Sequence, residues 1–98
     1  MVTEFARDVQ NEGVRLRKVF LYGSYAKNKQ HRQSDIDVAL VADEFVNFGY
    51  EDWQHFVSLL IRKPYYKIQP KTFSTSYFKK GDPFIDEIKR TGIEIKLD

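Results

Sequence analysis

Two apolar segments rich in β-branched and aromatic residues constrain the fold of this chain most. The segments 16–22 (LRKVFLY) and 35–41 (DIDVALV) have the composition of β-strands, and a polar stretch separates them. The segments on either side have apolar residues at the three- and four-residue spacing of helices. Strands that alternate with helices predict an α+β (mixed α/β) fold, a small mixed sheet backed by helices on at least one face.

Capping residues and helix breakers predict where the helices lie. A first helix is expected to be capped by Thr3, a short one to cover 24–28, and the clearest one to cover 50–62. A last helix is expected to open at Asp82-Pro83, with an aspartate N-cap and a first-turn proline. The helix residues expected to face the core are Phe5, Ala6, Val9, Tyr50, Trp53, Phe56, Val57, Leu60, Ile61, Phe84, Ile85 and Ile88.

Two more strands are predicted in the second half of the chain. One covers 65–69 and is expected to end at Pro70, because proline cannot donate a ladder hydrogen bond. The segment 71–81 is expected to be mostly loop, with a turn of helix near Tyr77. A final strand over 93–97 is expected to form an exposed sheet edge, which would allow a homodimer.

Length and composition exclude several classes of protein. The chain has 98 residues, a mass of 11.6 kDa and 42% hydrophobic residues, which predicts a single globular domain over 1–98. It has no cysteine and no uncharged apolar run near the ~20 residues of a membrane span, so a cytoplasmic location is the default expectation. A net charge of +2 is too small to indicate nucleic-acid binding.

The motif with the clearest chemistry joins the two N-terminal strands. Gly23 and Ser24 end the first strand, and Asp35 and Asp37 open the next, with ten residues between Ser24 and Asp35. Residues i and i+2 of a strand point to the same face, so the two carboxylates project together and repel each other unless a cation lies between them. Hard oxygen ligands of this kind favour Mg²⁺ or Mn²⁺.

The glycine–serine turn is suited to bind phosphate. Gly23 lets the backbone approach a ligand closely, and Ser24 adds a hydroxyl beside free backbone N–H groups. Lys27, Lys29 and Arg32 could add positive charge around a triphosphate. Either half alone is more often an ordinary turn or a solvated strand face, and it is their conjunction that indicates a site.

At these residues the chain resembles the polymerase-β-like nucleotidyltransferase superfamily, and its layout resembles the minimal nucleotidyltransferase (MNT) group. The similarity lies in FLYGSYAKNKQHRQSDIDVALV and, more weakly, in IQPKTF and DPFIDEIKRTGIEI, so that it covers most of 14–98. It implies transfer of a nucleotidyl group, usually from ATP, to an acceptor hydroxyl. Asp35 and Asp37 would hold two Mg²⁺ ions, and Gly23 and Ser24 would grip the phosphates.

The chain departs from the family pattern at one position. Fully active members carry a third carboxylate on the next strand, where it ligates metal and accepts the hydroxyl proton; the matching residue here is Gln69. An amide has no negative charge and cannot act as a general base. The resemblance therefore leaves open a slow enzyme and a nucleotide-binding relic.

The resemblance also implies a partner. Many MNT proteins are similar to antitoxins whose partner is a helical HEPN ribonuclease, which they neutralise by binding it or by adenylylating a tyrosine. Three alternatives follow: a protein adenylyltransferase of this antitoxin type, a non-enzymatic module that binds nucleotide or toxin, and a small-molecule nucleotidyltransferase that acts with a helical subunit. No direct contact with membrane or nucleic acid is expected.

Overall fold

A computed structural model describes residues 1–27, 35–47, 49–61 and 65–97. They form a four-stranded mixed sheet in the order β3-β2-β1-β4, in which β2 and β3 are parallel and the other pairs antiparallel. The predicted α+β fold is confirmed. The elements are α1 (Val2–Asn11), β1 (Leu16–Tyr22), β2 (Ile36–Ala42), α2 (Gly49–Trp53), α3 (Val57–Leu60), a 3₁₀ turn (Tyr65–Lys67), β3 (Ile68–Ser74), α4 (Thr75–Lys80), α5 (Pro83–Thr91) and β4 (Ile93–Ile95).

Strand β2 lies in the middle of the molecule and is buried on both faces. Val38 and Leu40 point into a first core with helices α1 and α3, as their alternation with the aspartates predicted. Ala39 and Val41 point into a second core on the opposite face, beneath α4 and α5. Because α4 and α5 cover only part of this second face, the end of the sheet that carries Asp37 is left partly accessible.

Helix caps explain where the helices on the second face begin. Helix α5 opens as predicted: the Asp82 carboxylate accepts a hydrogen bond from the Ile85 backbone N–H at 2.7 Å, and Pro83 follows in the first turn. Ile85 and Ile88 are buried, but the prediction for Phe84 is wrong, since its side chain is 42% exposed. Helix α1 also differs from the prediction, because it begins at Val2 without a side-chain cap from Thr3.

The single helix predicted over 50–62 is wrong. Two short helices, α2 and α3, are separated by a turn, and only half of the expected stripe faces inward. Phe56 is buried and Trp53 and Leu60 pack partly against the first core. Tyr50, Val57 and Ile61 are exposed, Tyr50 and Ile61 by 80% and 83%. The physical reason is Asp52, which is 1% exposed and accepts hydrogen bonds from the Thr72 hydroxyl at 2.5 Å and the Val46 N–H at 2.9 Å. A buried carboxylate needs such partners, so it fixes which side of α2 faces inward.

Strand β3 also differs from the prediction. Pro70 lies inside the strand instead of ending it, because β3 is an edge strand and tolerates a residue without an N–H. The strand continues to Ser74, whose side chain caps α4 by accepting from the Tyr77 N–H at 3.2 Å, so most of 71–81 is regular structure. The final strand is an edge as predicted but ends at Ile95.

In the part of the chain that is described, no helix is long and apolar enough to cross a membrane.

Candidate active site

The end of β1 turns sharply over the neighbouring strand. Gly23 has a φ of +75°, and the turn is closed by a hydrogen bond from the Lys27 backbone N–H to the Gly23 carbonyl at 3.1 Å. The helix predicted over 24–28 is replaced by this one turn, as far as residue 27. A Cβ atom on Gly23 would overlap Oδ2 of Asp37 and lie 3.2 Å from its Cγ. Only glycine therefore lets the turn pack against the Asp37 carboxylate.

The register of the sheet brings three polar side chains to one level. Asp37 lies opposite Tyr22 on β1 and opposite Gln69 on β3. Residues that pair across strands point to the same face, so the Gln69 amide shares the face of the Asp37 carboxylate. Asp35 is exposed and immediately precedes β2, two residues from Asp37. The glycine–serine turn, both aspartates and Gln69 thus meet at one end of the second sheet face.

At the end of the sheet that carries Asp37, negative charge is disfavoured unless a cation compensates it. Burial raises the pKa of Asp37, and the nearby charge of Asp35 raises it further. Burial, and secondly the Asp37 charge, raise the pKa of Tyr22 to about 12. Tyr22 is therefore a neutral hydroxyl donor at physiological pH.

The residues present fit a hard divalent cation. Two neighbouring carboxylates that repel each other would be stabilised by Mg²⁺ or Mn²⁺, and the Gln69 amide offers a further oxygen. Among the described residues there is no cluster of three or more acidic, histidine or cysteine side chains that could hold a metal. Water and phosphate oxygens would have to complete the ligand set.

The remaining candidate residues are distributed around the turn. Ser24 is partly buried within it, and Lys27 is exposed at its end. Lys27 Nζ lies 3.4 Å from Glu87 Oε1, an ion pair between the turn and α5. Lys29 and Arg32, the other candidates for phosphate contacts, lie outside the described residues.

Glu87 is a residue near this site that the sequence pattern could not place there. Arg90 and secondly Lys27 hold the pKa of its carboxyl below the usual range, so it is an ionised partner of both. Sixty residues separate Lys27 from Glu87, and no local motif signals a contact over that distance. Glu94 on β4 pairs with Phe20 on β1. It therefore lies further along the sheet than Asp37, which pairs with Tyr22.

An aromatic and basic surface adjoins the carboxylates. The Tyr22 and Phe84 rings pack edge to face with centroids 5.6 Å apart, and Phe84 lies beside Phe73. Lys71, two residues after Gln69, places its Nζ 5.0 Å from the centroid of the Phe84 ring. The partial exposure of Phe84 is explained by this position at the margin of the candidate site.

Residues 7–97 match the family described as Polymerase beta, Nucleotidyltransferase. The chain belongs to the polymerase beta nucleotidyltransferase family. The match covers almost the whole chain, including both strands of the Gly23-Ser24…Asp35-x-Asp37 motif, and confirms the family resemblance.

Solved structures show the same fold for this nucleotidyltransferase domain. A toxin–antitoxin structure with AMP-PNP has a TM-score of 0.64 and 18% identity over 96% of this chain and 72% of the other. A putative nucleotidyltransferase from Sulfolobus solfataricus has a TM-score of 0.62 and 21% identity over 95% and 74%. A mutant of the toxin–antitoxin MntA-HpeT has a TM-score of 0.61 and 16% identity over 93% and 68%. No curated protein matches significantly in sequence.

Proposed function

We propose that this nucleotidyltransferase domain transfers AMP from ATP to a hydroxyl of a partner protein, as the antitoxin of a toxin–antitoxin pair. The observation that carries the proposal is the packing of the Gly23 turn on Asp37, which lies directly opposite Gln69. This packing supports the proposal, because a turn suited to bind phosphate and a pair of carboxylates suited to hold metal are the two halves that a nucleotidyl transfer needs. Two of the similar structures described above are toxin–antitoxin proteins, which supports the choice of partner.

Each residue has a role in this reaction. Gly23 and Ser24 would bind the β- and γ-phosphates, with Lys27 beside them once it leaves Glu87. Asp35 and Asp37 would hold Mg²⁺ or Mn²⁺, which supplies charge neutralisation on the triphosphate and acidifies the acceptor hydroxyl. The acceptor oxygen bonds to the α-phosphorus, the bond to the bridging oxygen breaks, and pyrophosphate leaves.

Gln69 makes the expected reaction slow. The proton of the acceptor hydroxyl cannot go to an amide, so it would have to pass to water or to a phosphate oxygen of the substrate. A positioned general base contributes about 10²–10⁴-fold to such reactions, and an enzyme without one should lose a comparable factor. The same observation favours a second candidate function, in which the domain neutralises its partner by binding alone.

Mass spectrometry of the partner distinguishes these two functions. The chain would be co-expressed with a helical, HEPN-type protein encoded beside it, and the intact mass of that protein measured. Added AMP that disappears in the Asp35→Asn/Asp37→Asn variant supports transfer, whereas an unmodified partner that still co-purifies supports binding alone. A partner that is neither modified nor bound would contradict both.

Restoring the missing carboxylate tests whether the site is otherwise built for catalysis. Gln69→Glu is expected to raise the rate of AMP transfer by about 10²-fold or more. Lys80→Gln, at an exposed residue of α4, serves as the matched control for the same change of charge. If neither the natural chain nor Gln69→Glu binds Mg-ATP in calorimetry, the transferase proposal fails.

A further inference from the structure

A pocket lies on the same sheet face as the candidate active site, at the opposite end. It is open, has a volume of about 430 Å³ and lies between β1, β2, α4 and α5. Val41 at this end follows Asp37 by four residues, which is about 13 Å along a strand. The pocket is therefore separate from the candidate nucleotide site. Its lining residues are Arg17, Lys18, Val41, Thr75, Phe78, Lys79 and Lys89.

A β-bulge builds one side of this pocket. Leu16 pairs with Ala42 and Lys18 pairs with Val41, so Arg17 is an extra residue in β1 without a partner of its own. A bulge re-aims the side chains next to it, and here two consecutive cations line the same pocket instead of alternating between faces. Regular alternation would have sent one of them to the other side of the sheet.

The walls combine apolar and cationic surface. Val41 and Phe78 line the pocket and are almost fully buried. The lysine and arginine side chains around them have aliphatic stems that add apolar surface, while their charged ends stay in contact with water. Lys89 is held in place, because its Nζ donates to the Phe78 carbonyl at 2.8 Å and lies 4.9 Å from the Phe78 ring centroid.

The positive charge at the rim is only partly compensated. Arg17 forms an ion pair with Asp43 at 2.7 Å. Within the residues that the structure describes, Lys18 and Lys79 have no acidic partner. Four of the sixteen lysines and arginines of the chain thus surround one pocket, and two of them are available to a ligand.

We propose that this pocket binds a small amphipathic organic anion, with its apolar part between the side-chain stems and its carboxylate, sulfonate or phosphate group at Lys18 and Lys79. The volume fits a ligand of the size that such pockets hold, and a few charged groups around apolar walls are typical of ligand sites. The inference does not depend on the proposed function, because no residue of the nucleotide site takes part.

Amide NMR of the full chain, titrated with naphthalene-2-sulfonate, tests the proposal. Shift changes are expected at Lys18, Val41, Phe78 and Lys79, with a Kd of about 1 mM or tighter. Neutral 2-naphthol and inorganic sulfate should each bind at least about tenfold more weakly. 2-Naphthol has the apolar rings but no anionic group, and sulfate has the charge but no apolar part. Shifts centred on Tyr22 and Asp37, or equal binding of either control compound, would overturn it.

Charge variants separate a specific site from general attraction. Lys18→Gln/Lys79→Gln is expected to weaken binding of the sulfonate by about tenfold, since two ion pairs are lost. The matched control Lys80→Gln/Lys96→Gln removes the same charge from exposed residues outside the pocket and should leave the Kd within about twofold. Equal weakening in both variants would contradict the proposal, and so would no weakening in either.

Discussion

At the scale of single residues, the candidate site depends on a glycine and a carboxylate that occupy neighbouring space. Gly23 leaves room for the Asp37 carboxylate, and its backbone has the left-handed φ that glycine adopts without strain. Gly13 has a φ of +101° but nothing within 4 Å of the position of a Cβ atom. A side chain at Gly13 would therefore cause backbone strain only, whereas a side chain at Gly23 would cause backbone strain and also collide with Asp37.

Replacing these glycines should give different results. Gly13→Ala is expected to cost about 1–3 kcal/mol in free energy of unfolding through backbone strain alone, and to leave Mg-ATP binding unchanged. Gly23→Ala should cost more, because its Cβ also displaces Asp37, and should abolish Mg-ATP binding. Thermal unfolding and calorimetry measure both; a Gly23→Ala variant that binds Mg-ATP normally would contradict the role of the turn.

Tyr22 makes the stability of the fold depend on pH. Its pKa is raised to about 12 in the folded protein, above the value of about 10 expected when unfolded, so folding favours the neutral hydroxyl. The resulting stabilisation is fully present below about pH 10 and is lost as the pH rises towards 12. Tyr22→Phe should lack this loss. The measurement is the free energy of unfolding from neutral pH upward; parallel curves for both proteins would refute it.

At the scale of elements, a buried polar contact overrides the hydrophobic pattern. The Asp52 carboxylate joins α2 to β3 through the Thr72 hydroxyl and to the segment before α2 through the Val46 N–H. This contact explains why the stripe expected over 50–62 does not face the core as one helix. The apolar residues of 50–62 do follow helical spacing, but a pattern of apolar residues takes no account of Asp52, whose side chain is buried.

Removing this carboxylate should destabilise the fold substantially. Asp52→Ala leaves a buried hydroxyl and a backbone N–H without their acceptor, at about 1–3 kcal/mol for each unsatisfied group. Its exposed neighbour offers the control: Glu51→Ala is expected to change stability by no more than about 0.5 kcal/mol. Urea unfolding of both variants measures the difference, and equal effects would show that the contact contributes little.

At the scale of the whole molecule, the two edges of the sheet are poorly suited to pair with another copy. Strand β3 carries Pro70 and exposed Lys71, and β4 has only three residues. Proline, lysine and short length are features that discourage edge-to-edge pairing. The homodimer that the sequence allowed therefore has little support from the geometry of the edges.

The isolated chain is accordingly expected to be a monomer. Its Cα radius of gyration is 12.6 Å, close to the ~13 Å typical of a compact domain of about 100 residues. Small-angle scattering should give a value near this, slightly enlarged by hydration, and independent of protein concentration. A radius that grows with concentration would instead indicate association, and the C-terminal edge would then be the first surface to test.

Sequence alone determined the features that local patterns encode. A β-branched and aromatic composition predicted β1 and β2, the Asp82-Pro83 pair predicted the start of α5, and the spacing from Gly23 to Asp37 indicated the family. These succeed because side-chain direction and capping depend on residues that are close along the chain.

Only the tertiary structure decided which distant residues meet. The parallel register that sets Gln69 opposite Asp37 and the ion pair of Lys27 with Glu87 join segments that no periodicity links. The bulge at Arg17 likewise appears only when β1 is paired with β2. Such contacts arise from the packing of the whole chain, in which burial and hydrogen bonding of distant groups override local preference.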